Sequence, residues 1–285
     1  VDSYFVFQVQ PLRPNLNSFI LHIEPSKGGN ANNQTLFILK KFAKILQKVK
    51  ITVVSFSSDG DDFASASHDN NIKKHYKKFQ YNCSPNTTEP LFLSDPLHIF
   101  KRVRYHFIPI ITEQNQIRSI LNLPAIVFRN DRASKMHDKL PLLFFQLKNY
   151  ETLNNYKFYN YSIFILPYCL LLSFLSYDIS YETRLLFLNM ARILIEKVHF
   201  PFHFTYFQNQ INFTPNIIRD FLSTVLRLLD ILNLSNLTDI HLNRLGTNPL
   251  EHAIGIIRIR SKDHHNSERF IKEAGKINAL INELL

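Results

Sequence analysis

The chain has 285 residues, 45% of them hydrophobic and 20% charged, a balance that permits a large buried core and excludes a disordered polymer. Its 33 Lys and Arg against 23 Asp and Glu leave a formal charge of +10, which favours polyanionic partners, nucleic acid ahead of acidic membrane surfaces. Two cysteines, Cys83 and Cys169, exclude a disulfide framework and a zinc finger of the four-ligand type.

Tyr4-Phe5-Val6-Phe7-Gln8-Val9 is rich in aromatic and β-branched residues and reads as a strand. After turn residues from Pro11 to Asn15, Ser18-Phe19-Ile20-Leu21-His22-Ile23 is a second strand, and the two predict an antiparallel hairpin. Leu36, Leu39, Ala43 and Leu46 then recur at helical spacing, with Phe42, Ile45 and Val49 widening the apolar stripe over residues 33–49. Lys40, Lys41, Lys44 and Lys48 fall mainly on the opposite side. A third strand is expected over residues 51–56, running into Ser57-Ser58-Asp59-Gly60-Asp61-Asp62.

Beyond a polar, basic stretch, Pro90-Leu91-Phe92-Leu93-Ser94-Asp95-Pro96 reads as a short strand ending in an acid, with a helix following through Arg104. From about residue 109 to 245 helical patterns dominate, clearest over residues 163–175, 182–198 and 216–232, with one strand-like run at 202–207. The most apolar run, 163–175, contains Pro167 and is shorter than the roughly 20 residues a membrane span needs, so no membrane role is expected. No signal peptide is visible, and an intracellular protein is expected. Thr247-Asn248-Pro249-Leu250-Glu251 opens another helix, and a last amphipathic helix ends at Leu285.

Three acids punctuate this plan. Asp59 and Asp95 each close a predicted strand, where side chains of open α/β sheets meet in a cleft, and Glu251 lies in a helical first turn. Carboxylates converging from separate elements can hold two Mg²⁺ ions about 3.5–4 Å apart for phosphodiester chemistry. Each also has a plainer reading. Asp59-Gly60 suits a turn, Asp95-Pro96 suits an N-cap with proline at the first helical position, and Glu251 suits a capping box with Asn248.

Taken in order, the segments resemble P-element-type transposases, a branch of the RNase H-like transposase superfamily. The hairpin, helix and strand from Tyr4 through Asp62 resemble the start of that family's catalytic core, whose second carboxylate maps to Asp59. Ser94-Asp95-Pro96-Leu97-His98-Ile99-Phe100-Lys101-Arg102-Val103-Arg104 resembles the stretch that leads into its helical insertion. Leu245-Gly246-Thr247-Asn248-Pro249-Leu250-Glu251-His252-Ala253-Ile254-Gly255-Ile256-Ile257-Arg258 is similar to the segment carrying its catalytic glutamate.

The resemblance implies an α/β fold, an RNase H-like mixed sheet core (residues 1–108 and 246–285) interrupted by a large all-helical insertion (109–245). It implies metal-dependent DNA cleavage and strand transfer in the nucleus, with Asp59, Glu251 and Asp95 as catalytic and metal-binding residues and Mg²⁺ or Mn²⁺ as cofactor. The alternative is a non-catalytic DNA-binding or structural remnant of the same fold; an unrelated helical interaction protein is a third reading. Lys101, Arg102 and Arg104, on a helix beside the expected cleft, and Arg258 and Arg260, near Glu251, are the expected DNA contacts; a homo-oligomer is also allowed. The family's first catalytic aspartate lies on a strand before the hairpin, so a fragment or degenerate copy is expected. Without a Gly-rich phosphate loop, no nucleotide binding is carried over.

Overall fold

The computed structural model describes residues 4–11, 16, 18–25, 31–51, 53, 55–58, 91–112, 115–131, 134, 137–175, 179–197, 215–234, 272, 275 and 276. Strands β1 (Tyr4–Val9) and β2 (Phe19–Pro25) pair antiparallel, with Tyr4 opposite Pro25 and Val9 opposite Phe19. Phe7 faces His22 while Gln8 faces Ile20, so Leu21 is an extra residue on β2, a bulge that increases the local twist. Helix α1 (Ala31–Lys48) sets Phe42 against this hairpin, its ring 5.7 Å from Phe7 and 5.6 Å from His22. The opposite side of α1 leaves Lys41, Lys44 and Lys48 exposed, as helical periodicity requires.

Strands β3 (Ser55–Ser58) and β4 (Leu91–Ser94) form a second two-stranded sheet. The third strand starts later than expected, and the first of the residues expected in it, Ile51, belongs to the close of α1. Lys50 adopts a left-handed φ of 62° and the Ile51 N–H donates to the Leu46 carbonyl at 2.9 Å, the Schellman closure of a helix. Glycine normally fills that conformation, but this chain has six glycines in all. Asn122 and Lys157, each just past a helix, take the same left-handed region at φ 46° and 63°.

Among the described residues the strands occur as two separate pairs and helix dominates. The run expected as a strand at 202–207 and the segment around Glu251 lie outside the described residues, while Lys272, Gly275 and Lys276 are helical.

The chain divides into two compact units, one of Val1–Ser57, Thr87–Leu91 and Asp239–Leu285, the other of Ser58–Asn86 and Phe92–Thr238. The second unit contains helices α2 (Pro96–Thr112), α3 (Asn115–Leu121), α4 (Lys139–Phe144), α5 (Leu147–Asn155), α6 (Tyr159–Phe174), α7 (Tyr181–Leu194) and α8 (Pro215–Leu234). A 3₁₀ turn, Ala125–Phe128, joins α3 to the segment before α4.

Helix α2 is the axis of that unit. Phe100, Val103, Phe107 and Ile111, at spacings of three and four, are all buried. Phe107 stacks on Phe164 of α6 with centroids 4.3 Å apart and planes 17° apart. A run of rings continues from Phe100 through Phe145 and Tyr168 to Phe221 of α8, at centroid separations of 5.7, 5.4 and 4.9 Å. Burying each such ring is worth about 1.5–3 kcal/mol relative to leaving it in water. Helix α6 is apolar nearly all round, which is why neighbours cover it on several sides. The connection from α4 to α5 is fixed by buried Asn149, whose Nδ2 donates to the carbonyls of Leu143 and Phe144 at 2.9 and 2.8 Å. Ser180 starts α7 by accepting the Thr183 N–H at 3.2 Å.

Candidate functional site

Of the three acids expected to hold metal, Asp95 is described and Asp59 and Glu251 lie outside the described residues. Asp95 is 2% exposed, and its Oδ1 accepts the Leu97 N–H at 2.9 Å at the start of α2. Its own carbonyl accepts the Ile99 N–H at 3.2 Å, the first turn of the helix. An aspartate followed by Pro96 at the first helical position satisfies backbone donors that would otherwise be orphaned. The geometry gives this carboxylate the capping role that the sequence also allowed.

The basic residues of α2 face inward more than expected. Arg104 is 1% exposed, and corrects the expectation that it projects beside a cleft. Its Nε and Nη2 donate to the Val127 carbonyl at 3.0 and 2.6 Å, Nη2 also to Arg129 at 2.8 Å and Nη1 to Ser134 at 3.3 Å. The forked guanidinium therefore gathers three carbonyls of the 3₁₀ turn and the segment after it, a task a lysine ammonium cannot copy. Burial holds its pKa below the ordinary arginine value while the charge of Asp131 pulls the other way. Asp131 itself accepts the Ser134 N–H at 2.7 Å, closing the same segment.

Lys101 is buried and pairs with Asp138, which stands just ahead of α4. Arg102 Nη1 lies 2.7 Å from Asp220 Oδ2 on α8, with side-chain exposures of 38% and 11%. Of the three, Arg102 retains the largest solvent-facing surface. Arg258 and Arg260 lie outside the described residues.

One stripe of exposed positive charge lies on α1, where Lys41, Lys44 and Lys48 are exposed together with Lys50 just past the helix. The i, i+3, i+7 spacing of the three helical lysines made this stripe visible in the sequence. A second feature had no such signal. Exposed Arg118 on α3 places its guanidinium carbon 5.4 Å from the Phe128 ring centroid, beside an open recess of about 290 Å³. The acids that hold the α2 cations, Asp138 and Asp220, were also invisible, because they lie 37 and 118 positions away from their partners.

Among the described residues no three His, Cys, Asp or Glu side chains come together as a metal-holding group. No described helix is long and apolar enough to cross a membrane.

No protein-family model and no curated protein matches the sequence. Among solved structures, the fold is similar to a chain of the Drosophila P element transposase strand transfer complex. The TM-score is 0.63, at 15% sequence identity, with 96% of this chain and 69% of that one covered. The likeness is one of fold, and it runs through both units.

Proposed function

We propose that the chain is a transposase-type protein that acts on DNA by cutting and joining phosphodiester bonds, with Asp59 and Glu251 as the carboxylates that hold divalent metal. The observation that supports this is the likeness in fold to a P element transposase across 96% of the chain. An excess of ten positive charges is in keeping with a polyanionic partner.

Asp59 and Glu251 would hold Mg²⁺ or Mn²⁺, which would supply activation of the attacking oxygen and stabilisation of the leaving one. The chain's own residues supply the rest. Asp59 and Glu251, 192 positions apart, would close on the metal from separate elements. Phosphates would be drawn by the exposed lysines of α1 and by Arg102, Arg258 and Arg260. Asp95, Lys101 and Arg104 would act indirectly, by fixing where α2 starts and what it carries. Work on chromosomal DNA would place the protein in the nucleus.

One observation favours a second reading, a non-catalytic DNA-binding protein of the same fold: Asp95 is committed to a helix start and Arg104 to backbone carbonyls. A single experiment separates the two. Nicking and strand transfer on a DNA duplex in Mg²⁺ are compared for the wild-type chain, Asp59→Ala and Glu251→Ala. The enzyme reading expects activity in the first and at least a hundredfold loss in both variants. Equal activity in all three would remove both acids from the mechanism, and retained DNA binding without cleavage in the wild type would leave the second reading.

A further inference from the structure

Helix α7 uses one face for the core of its unit, with Leu188, Ala191 and Ile195 buried. Its other face carries Leu186, Met190 and Ile193 at i, i+4 and i+7, exposed by 55%, 39% and 49%. Three large apolar residues in one stripe on an outer surface differ from scattered exposed leucines, because they form the continuous seam that packs against another helix.

The charges at the two ends of the stripe say which helix. Exposed Glu182 lies one turn before Leu186, and exposed Lys197 lies one turn after Ile193, in the π turn that continues the helix. A second α7 laid antiparallel, its two-fold axis passing between Asn189 and Met190, sets Leu186 against Ile193 and Glu182 against Lys197. Both charge pairs form at once, one at each end. A parallel copy would set Glu182 against Glu182 and Lys197 against Lys197, which repel. The stripe is therefore complementary to itself in one orientation only, the property of an isologous contact between identical chains.

We propose that the outer face of α7 pairs with the same face of a second copy of this chain, antiparallel, as a two-fold dimer contact. It stands independently of the DNA reading. One helix pair buries less than the roughly 1,200 Å² of a standard interface, so the dimer dissociates on dilution, with a Kd on the order of micromolar or weaker.

Sedimentation velocity of the full chain, at concentrations from ~1 to ~100 µM and low salt, tests this. The wild type should shift from monomer toward dimer as concentration rises. Met190→Glu should remain monomeric throughout. Glu182→Lys should weaken the dimer at least tenfold, and adding Lys197→Glu should restore it, because the exchanged charges again face opposites. All three side chains are on the surface, so circular dichroism should be unchanged and would identify any variant that misfolds. A wild-type chain that is monomeric across the whole range overturns the proposal. So does a dimer that survives Met190→Glu, or a double exchange that fails to recover.

Discussion

Arg102 of α2 and Asp220 of α8 meet at 2.7 Å although 118 positions separate them, with the carboxylate the more buried of the two. The pair joins the first and last described helices of the second unit. Removing Arg102 takes one cation from the more buried carboxylate of Asp220. Because the guanidinium is partly in solvent, the cost falls between that of an exposed pair and that of a buried one. Arg102→Ala should destabilise by about 1–2 kcal/mol, read from chemical denaturation. Arg102→Ala with Asp220→Asn should recover part of that loss.

Arg104 gives a sharper expectation. Its charge matters less than the planar fork that meets three carbonyls, so Arg104→Lys should behave as a disruptive change. A loss of about 2–4 kcal/mol is expected, from unmet carbonyls and a misplaced ammonium. Hydrogen exchange should quicken first at Val127 to Ser134, the segment the guanidinium gathers. Unchanged protection there would mean that the clamp does not hold the segment.

Asp95 separates capping from metal binding. Asparagine caps a helix about as well as aspartate but is a poor ligand for hard cations. Asp95→Asn should therefore keep both stability and any DNA cleavage, whereas Asp95→Ala should lose about 1 kcal/mol of stability. Loss of cleavage in Asp95→Asn at unchanged stability would return this residue to the metal site.

Alkaline pH should weaken the second unit through α6. Burial pushes both the Cys169 thiol and the Tyr168 phenol above their ordinary pKa values, so the folded state keeps the protons that the unfolded chain gives up. Their contribution is complete below about pH 8.5 for the thiol and about pH 10 for the phenol, and is lost as pH rises beyond each. Each group should add a slope of about 1.4 kcal/mol per pH unit once its unfolded form is ionised. Denaturation midpoints measured from pH 7 upward check this, and Cys169→Ala should flatten the first part of the decline.

The local elements were legible where a single period governed them. Tyr4–Val9 is a strand over the same residues in sequence and structure, and the helices expected at 163–175, 182–198 and 216–232 are observed as Tyr159–Phe174, Tyr181–Leu194 and Pro215–Leu234. The late start of β3 was hidden because Lys50, a residue with no preference for φ > 0, closes α1. The short helices α3, α4 and α5 were not resolved individually, since seven, six and nine residues carry too few turns for periodicity to register. Asp95-Pro96 showed its cap in the sequence. The inward turn of Arg104 did not show, because its partners are backbone carbonyls, which every residue has.

The metal proposed for Asp59 and Glu251 can be located on the chain. Iron-directed backbone cleavage does so most directly: Fe²⁺ replaces Mg²⁺, ascorbate and peroxide are added, and the peptide cuts are mapped. Cuts are expected within a few residues of both Asp59 and Glu251, competed away by Mg²⁺ and lost at both places in Asp59→Ala. Cuts near one residue alone, or cuts near both that persist in that variant, would contradict it.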